Sequence, residues 1–143
     1  MLHNQLIICF STLSWDYLWL RHQAGLLKAD FKQPLGKIAY HAPCHQRVQN
    51  IGPKTRDVLA LVPGTEVQMI ERCSGHDGTY GVKKATYAFA RKIAKPVESR
   101  VQQMDAAHFA SDCPMAASHI AHGMGDKPGA ENPISLLRKA YGI

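Results

Sequence analysis

The hydrophobic pattern changes character near residue 36. Before that point, the stretch WDYLWLRHQAGLL places apolar residues at Trp15, Leu18, Trp19 and Leu26, which predicts a helix ending near Gly25. The stretch MLHNQLIICFSTLS ahead of it has neither a clear period nor a cap. From Lys37 onward, short alternating runs take turns with longer helical ones. KIAYHAPC (37–44) predicts a strand stopped by Pro43, and GPKTRDVLALV (52–62) a helix with Pro53 at its first position and Val58, Leu59 and Val62 on one face. EVQMIERC (66–73) alternates as a second strand. Residues 80–104 then predict a helix with Ala85, Ala88, Phe89 and Ile93 on its apolar face, divided into two in-line helices by Pro96. AAHFASDC (106–113) predicts a third strand, PMAASHIAHGM (114–124) a helix opening with Pro114, residues 125–133 a loop, and ISLLRKAYG (134–142) a last short helix. The order β-α-β-α-β-α predicts an α/β domain with a short parallel sheet, right-handed crossovers and flanking helices.

Composition narrows the functional classes. An apolar fraction of 45% and a charged fraction of 20% in 143 residues describe an ordinary globular chain. The run Leu6 to Phe10 is apolar but short, with no basic residue before it and no clean small-residue cleavage site after it, so no signal peptide is expected. No stretch has the length of a membrane span. Four cysteines are too few for a secreted disulfide scaffold, so a reducing cytoplasm is the expected location. The net charge of +6 comes from lysines and arginines that are scattered and not interleaved with aromatics. No nucleic-acid motif is present, and the charge suits a solvated surface or an acidic partner protein.

The chemistry collects at three cysteines. Cys44, Cys73 and Cys113 each fall at the end of a predicted strand, and the carboxyl ends of parallel strands share one edge of a sheet, where ligands bind. Three thiolates from distant parts of the chain make a soft donor set, suited to zinc, copper(I) or an iron–sulfur cluster. In ERCSGHDGTYGVKK, Gly75, Gly78 and Gly81 would let the backbone pass close to a bulky inorganic group. The loop matches neither phosphate-binding glycine pattern. His45 and His76, beside Cys44 and Cys73, are the candidate fourth ligands, followed by His41 and His119. Asp112 is expected to cap the helix after Cys113. Two other readings compete: Cys73 with His76 as a thiol nucleophile and its base, and three ordinary buried thiols. Cys9 is read as an ordinary apolar thiol.

The segments HAPCHQR, ERCSGHDGTYGVKK and SDCPMAASHI resemble the three signature segments of the CCG, or cysteine-rich, domain. That domain occurs in the heterodisulfide reductase B subunit, the anaerobic glycerol-3-phosphate dehydrogenase C subunit and the glycolate oxidase iron–sulfur subunit. The likeness is greatest to the second copy in the glycerol-3-phosphate dehydrogenase type. It runs over about residues 36–143 and includes GTYG with two lysines (78–84) and Asn132-Pro133-Ile134 before the last helix. The resemblance implies a Rossmann-like three-layer domain at 36–143 behind an irregular or partly helical segment at 1–35. It implies a domain that holds an iron–sulfur cluster and passes electrons between redox partners, more a non-catalytic component of an oxidoreductase than an enzyme.

The chain departs from the family pattern twice. Ser74 follows Cys73 where the family has a second cysteine, and Ala116 stands where the second cysteine after Cys113 would be. An enlarged cluster held by five cysteines is therefore not expected. Three thiolates suit a [3Fe–4S] cluster, or a [4Fe–4S] cluster completed by His76, His45, Ser74 or a small ligand; zinc as Cys3His is the alternative cofactor. The alternative function is a cluster-free or zinc-binding module docking on a redox enzyme. The relatives carry a ferredoxin-like segment and a first domain copy upstream, so the resemblance also implies a C-terminal fragment or truncated product. Its redox partner or missing upstream domain would cover the site.

Overall fold

A computed structural model describes the backbone of residues 2–49 and 53–143, and the side chains of 13–49 and 53–143. The expectation for Cys9 and the Gly52 start of the second helix lie outside the residues so described. The elements run α1 (Leu2–Gln23), β1 (Gly36–His41), α2 (Cys44–Val48), α3 (Lys54–Leu59), β2 (Thr65–Ile70), α4 (Tyr87–Gln103), β3 (His108–Ser111), α5 (Pro114–Gly123), β4 (Ala130–Glu131) and α6 (Pro133–Tyr141). All strand pairs are parallel, in the order β2-β1-β3-β4. The α/β architecture is thus as expected, with helices on both faces.

The faces follow from strand alternation. Ile38 and Tyr40 of β1 and Ala110 of β3 pack with Trp15, Val58, Leu59, Leu136 and Ala140 from α1, α3 and α6. Ala39 and Phe109 point the other way, onto Val97 and Val101 of α4 and Ala117, Ile120 and Ala121 of α5. The central strand is buried on both sides, which is why β1 shows no clean polar–apolar alternation. Val58, Leu59 and Val62 share one buried cluster, as their spacing predicts.

Three elements differ from expectation. Helix α1 continues back to Leu2 through a stretch without an apolar period. Helix α4 begins at Tyr87, because residues 80–86 turn out of the glycine loop, where the Thr86 hydroxyl donates to the Tyr80 and Lys83 carbonyls. It also runs unbroken through Pro96. Lys92, whose carbonyl loses its i+4 donor there, is exposed together with Pro96, so water can replace that bond. The buried face of α4 is Ala90, Ala94, Val97, Glu98 and Val101, which leaves Phe89 and Ile93 facing solvent. The loop expected at 125–133 contains β4, which pairs Ala130 with Phe109 and Glu131 with Ala110. Two residues are too few to carry a period. No helix among the described residues is long and apolar enough to cross a membrane.

Candidate functional site

The strand register sets the site. His41, the last residue of β1, pairs with Ile70, the last of β2, and with Ser111, the last of β3. Three strands therefore end level, spaced about 4.8 Å apart across the sheet. Cys44 and Cys73 lie three residues beyond their strands and Cys113 two. The switch point of the sheet lies between β1 and β3, where successive crossovers leave in opposite directions, and Cys44 and Cys113 follow the two strands that flank it.

Each thiol sits differently. Cys44 opens the short helix α2, is exposed, and its Sγ accepts a hydrogen bond from Arg47 at 3.4 Å. Cys73 is exposed in the loop after β2, where the Gly75 N–H donates to its Sγ at 3.4 Å. Cys113 is the N-cap residue of α5 and half-buried. All three are free thiols.

Two buried networks hold these loops. In the first, His41 Nε2 lies 2.8 Å from the Arg72 carbonyl, so that nitrogen carries the proton, and Nδ1 accepts from the Ser111 hydroxyl at 3.1 Å. The same hydroxyl accepts from the Cys113 N–H. His41 thereby ties the residue before Cys73 to the turn holding Cys113. Burial pushes its pKa down, partly opposed by the Arg72 carbonyl. With both nitrogens engaged, His41 is no ligand, which corrects its place among the candidates. In the second network Asp112 receives Trp15 Nε1 on Oδ1 at 2.9 Å, and on Oδ2 the Tyr40 hydroxyl at 2.6 Å, the Thr55 hydroxyl at 2.5 Å and Gln46 Nε2 at 3.4 Å. Burial, then the Asp112 charge, raises the Tyr40 pKa well above the phenol range. Asp112 is not the helix cap that was expected: the N-cap of α5 is Cys113, and the carboxylate turns inward because four donors converge there from α1, β1, α2 and α3. It joins the Cys113 turn to the helix that Cys44 opens.

The glycine loop has a different logic from the one its sequence suggested. A Cβ on Gly75 would lie on the Ala90 carbonyl, and its φ is +76°, so this glycine admits helix α4 to the loop and no room for an inorganic group need be invoked. Gly78 has φ +65° with nothing near a Cβ, so it serves the turn alone. Gly81 is pressed by the His76 and His119 rings.

Donor atoms remain for a metal group. Buried His45 Nε2 and both ring nitrogens of His76 lack a hydrogen-bond partner. An unpaired buried polar atom costs about 1–3 kcal/mol, and these nitrogens, on the residue after Cys44 and three residues after Cys73, have the chemistry of ligands to a soft, thiolate-bound group. Burial lowers the His45 pKa, against an opposing pull from Asp112, which favours the neutral, ligating form. Among the described residues no three His, Cys, Asp or Glu side chains gather on a single ion, so a Cys3His zinc tetrahedron is not preformed.

No protein-family model matches the chain. It is homologous to the C subunit of the anaerobic glycerol-3-phosphate dehydrogenase of Escherichia coli K12, with 30% identity over 129 residues that cover 90% of this chain and 32% of that protein. Its counterpart in E. coli O157:H7 matches equally. An uncharacterized iron–sulfur protein of Methanocaldococcus jannaschii is 32% identical over 78% of this chain and 24% of its own length. The chain thus spans about a third or less of these relatives, one a subunit of a dehydrogenase and another an iron–sulfur protein.

Proposed function

We propose that the chain is an iron–sulfur-binding electron-transfer domain of the CCG type, working within a larger redox assembly. One observation carries this reading: three parallel strands end level, and each is followed within two or three residues by a free cysteine. The names of the relatives agree with it. Cys44, Cys73 and Cys113 are the cysteine ligands, and His45 or His76 supplies a fourth donor for a [4Fe–4S] cluster; a [3Fe–4S] cluster needs the thiols alone. When bound, such a cluster supplies one-electron transfer at the sheet edge.

The protein's own part is placement. The Gly75 N–H and the Arg47 guanidinium stand ready to stabilise sulfur charge at Cys73 and Cys44. His41 and Asp112 fix the three loops relative to one another. The partner is a redox protein or a further domain. Phe89 and Ile93, exposed one helical turn apart on α4, offer it an apolar contact, and the net charge of +6 favours an acidic one.

The test is anaerobic reconstitution followed by iron, sulfide and zinc analysis of the wild type beside Cys73→Ser. Three or more iron atoms with matching sulfide in the wild type, and a large loss in the variant, support the proposal. A colourless protein with one zinc or no metal would favour the docking-module alternative.

A further inference from the structure

His76, a candidate fourth donor for the thiol site, also belongs to a second set of donors built from imidazoles. The turn after the glycine loop and helix α5 enclose an open cavity of about 470 Å³, lined by His76, Gly81, Tyr87, Met115, His119 and His122 among others. His76 and His119 are only 7% and 8% exposed. Neither nitrogen of His76 has a hydrogen-bond partner, and Nε2 of His119 has none. Burial pushes the His119 pKa down, which favours the neutral imidazole.

The two rings are also at a suitable distance. Their centroids are 5.8 Å apart with planes tilted by 52°. Metal–nitrogen bonds of about 2.0–2.1 Å put two rings on one roughly tetrahedral ion at a centroid separation of about 5–6 Å. Gly81 explains how they come so close: a Cβ there would lie 2.6 Å from His76 Nδ1 and 3.0 Å from His119 Nδ1, so only glycine leaves room for the pair.

We infer that His76 and His119 form a two-imidazole site for a borderline d-block cation of the zinc class, separate from the three thiols. Because no three His, Cys, Asp or Glu side chains gather on one ion among the described residues, two protein nitrogens hold it and the cavity supplies the remaining positions with solvent or a small ligand. The site does not depend on a cluster at the cysteines. With His76 engaged here, His45 is the imidazole left for the thiol site.

Zinc itself is the probe. The thiols of the full chain are capped reversibly with methyl methanethiosulfonate, retention of fold is checked by circular dichroism, and zinc is titrated by calorimetry. One zinc per chain is expected, with His76→Gln and His119→Gln each weakening binding at least about tenfold. Gly81→Ala should weaken it too, by driving the rings apart, while His122→Gln should change it less than about threefold. Failure of the capped chain to take zinc, or unchanged binding in both glutamine variants, overturns the inference. If capping unfolds the chain, imidazole nitrogen shifts in the uncapped protein decide instead. Zinc-dependent movement of the His76 and His119 signals supports the site, and movement confined to other histidines overturns it. These readouts leave iron and sulfide content untouched, so this site and the thiol site can fail independently.

Discussion

Replacing Asp112 by asparagine should loosen the joint between the Cys44 helix and the Cys113 turn, and its cost can be worked from the hydrogen bonds. Oδ2 accepts from Tyr40, Thr55 and Gln46, whereas Oδ1 accepts from Trp15 Nε1. An asparagine amide would therefore turn its oxygen toward the three donors and its NH2 toward Trp15, where two donors would face each other. Losing a charge-assisted acceptor and stranding the indole N–H should cost about 2–4 kcal/mol, a large part of a domain stability of roughly 5–15 kcal/mol. Trp15→Phe alone should also destabilise. In the asparagine background, however, it removes a donor that has lost its acceptor, so the double variant should be at least about 1 kcal/mol more stable than the two losses added together. Urea unfolding, followed by tryptophan fluorescence from Trp19 and by circular dichroism, measures this through the midpoint at constant slope. Losses that add within about 0.5 kcal/mol would refute the pairing of Trp15 with Asp112.

Other consequences follow from the same geometry. The depressed pKa of His41 means that the unfolded chain binds more protons than the folded one as pH falls below the unfolded value near 6.5; stability should therefore hold at neutral pH and decline toward acid by up to about 1.4 kcal/mol per pH unit, with a shallower decline in His41→Gln, as read by urea melts from pH 7.5 to 5. Gly75→Ala should destabilise by several kcal/mol because the methyl group meets the α4 backbone, whereas Gly78→Ala should cost only about 1 kcal/mol for its left-handed conformation, a contrast that thermal melts can resolve. Phe89→Ser should alter the stability of the isolated chain by no more than about 0.5 kcal/mol, whereas Val97→Ala should cost roughly 1–3 kcal/mol; equal losses would mean that α4 is rotated toward its sequence-predicted face.

Much of the fold was legible because parallel strands and their helices leave strong local signals. The runs ending at Cys44, Cys73 and Cys113 marked three strands, and Val58, Leu59 and Val62 marked a buried helical face. The rest depended on partners distant in sequence. Phe89 and Ile93 read as core because they share a helical stripe, yet the face that is buried is the one carrying Ala90, Ala94 and Val97. Pro96 read as a break because the sequence does not show that the Lys92 carbonyl it frees faces water on the exposed side of the folded helix. β4 exists by pairing with β3 and carries no period of its own.

The candidate site shows the same division. Position along the chain put Cys44, Cys73 and Cys113 at strand ends, and each lies two or three residues beyond a strand. It did not reveal that Asp112 gathers donors from four elements, since Trp15, Tyr40, Gln46 and Thr55 share no motif. A buried tryptophan, tyrosine and threonine in a small domain were the available hint, because each polar tip needs a partner. His41 read as a possible ligand and instead joins two loops, which becomes visible only once the level ends of β1 and β3 are known.

The central claim is that the three thiols hold a multinuclear iron group at one sheet edge. Iron-edge X-ray absorption of the anaerobically reconstituted chain tests it most directly. The account predicts a first shell dominated by sulfur together with an iron–iron scattering path, and loss of that path when Cys44, Cys73 or Cys113 is replaced by serine. A shell of nitrogen and oxygen scatterers with no neighbouring iron would contradict it.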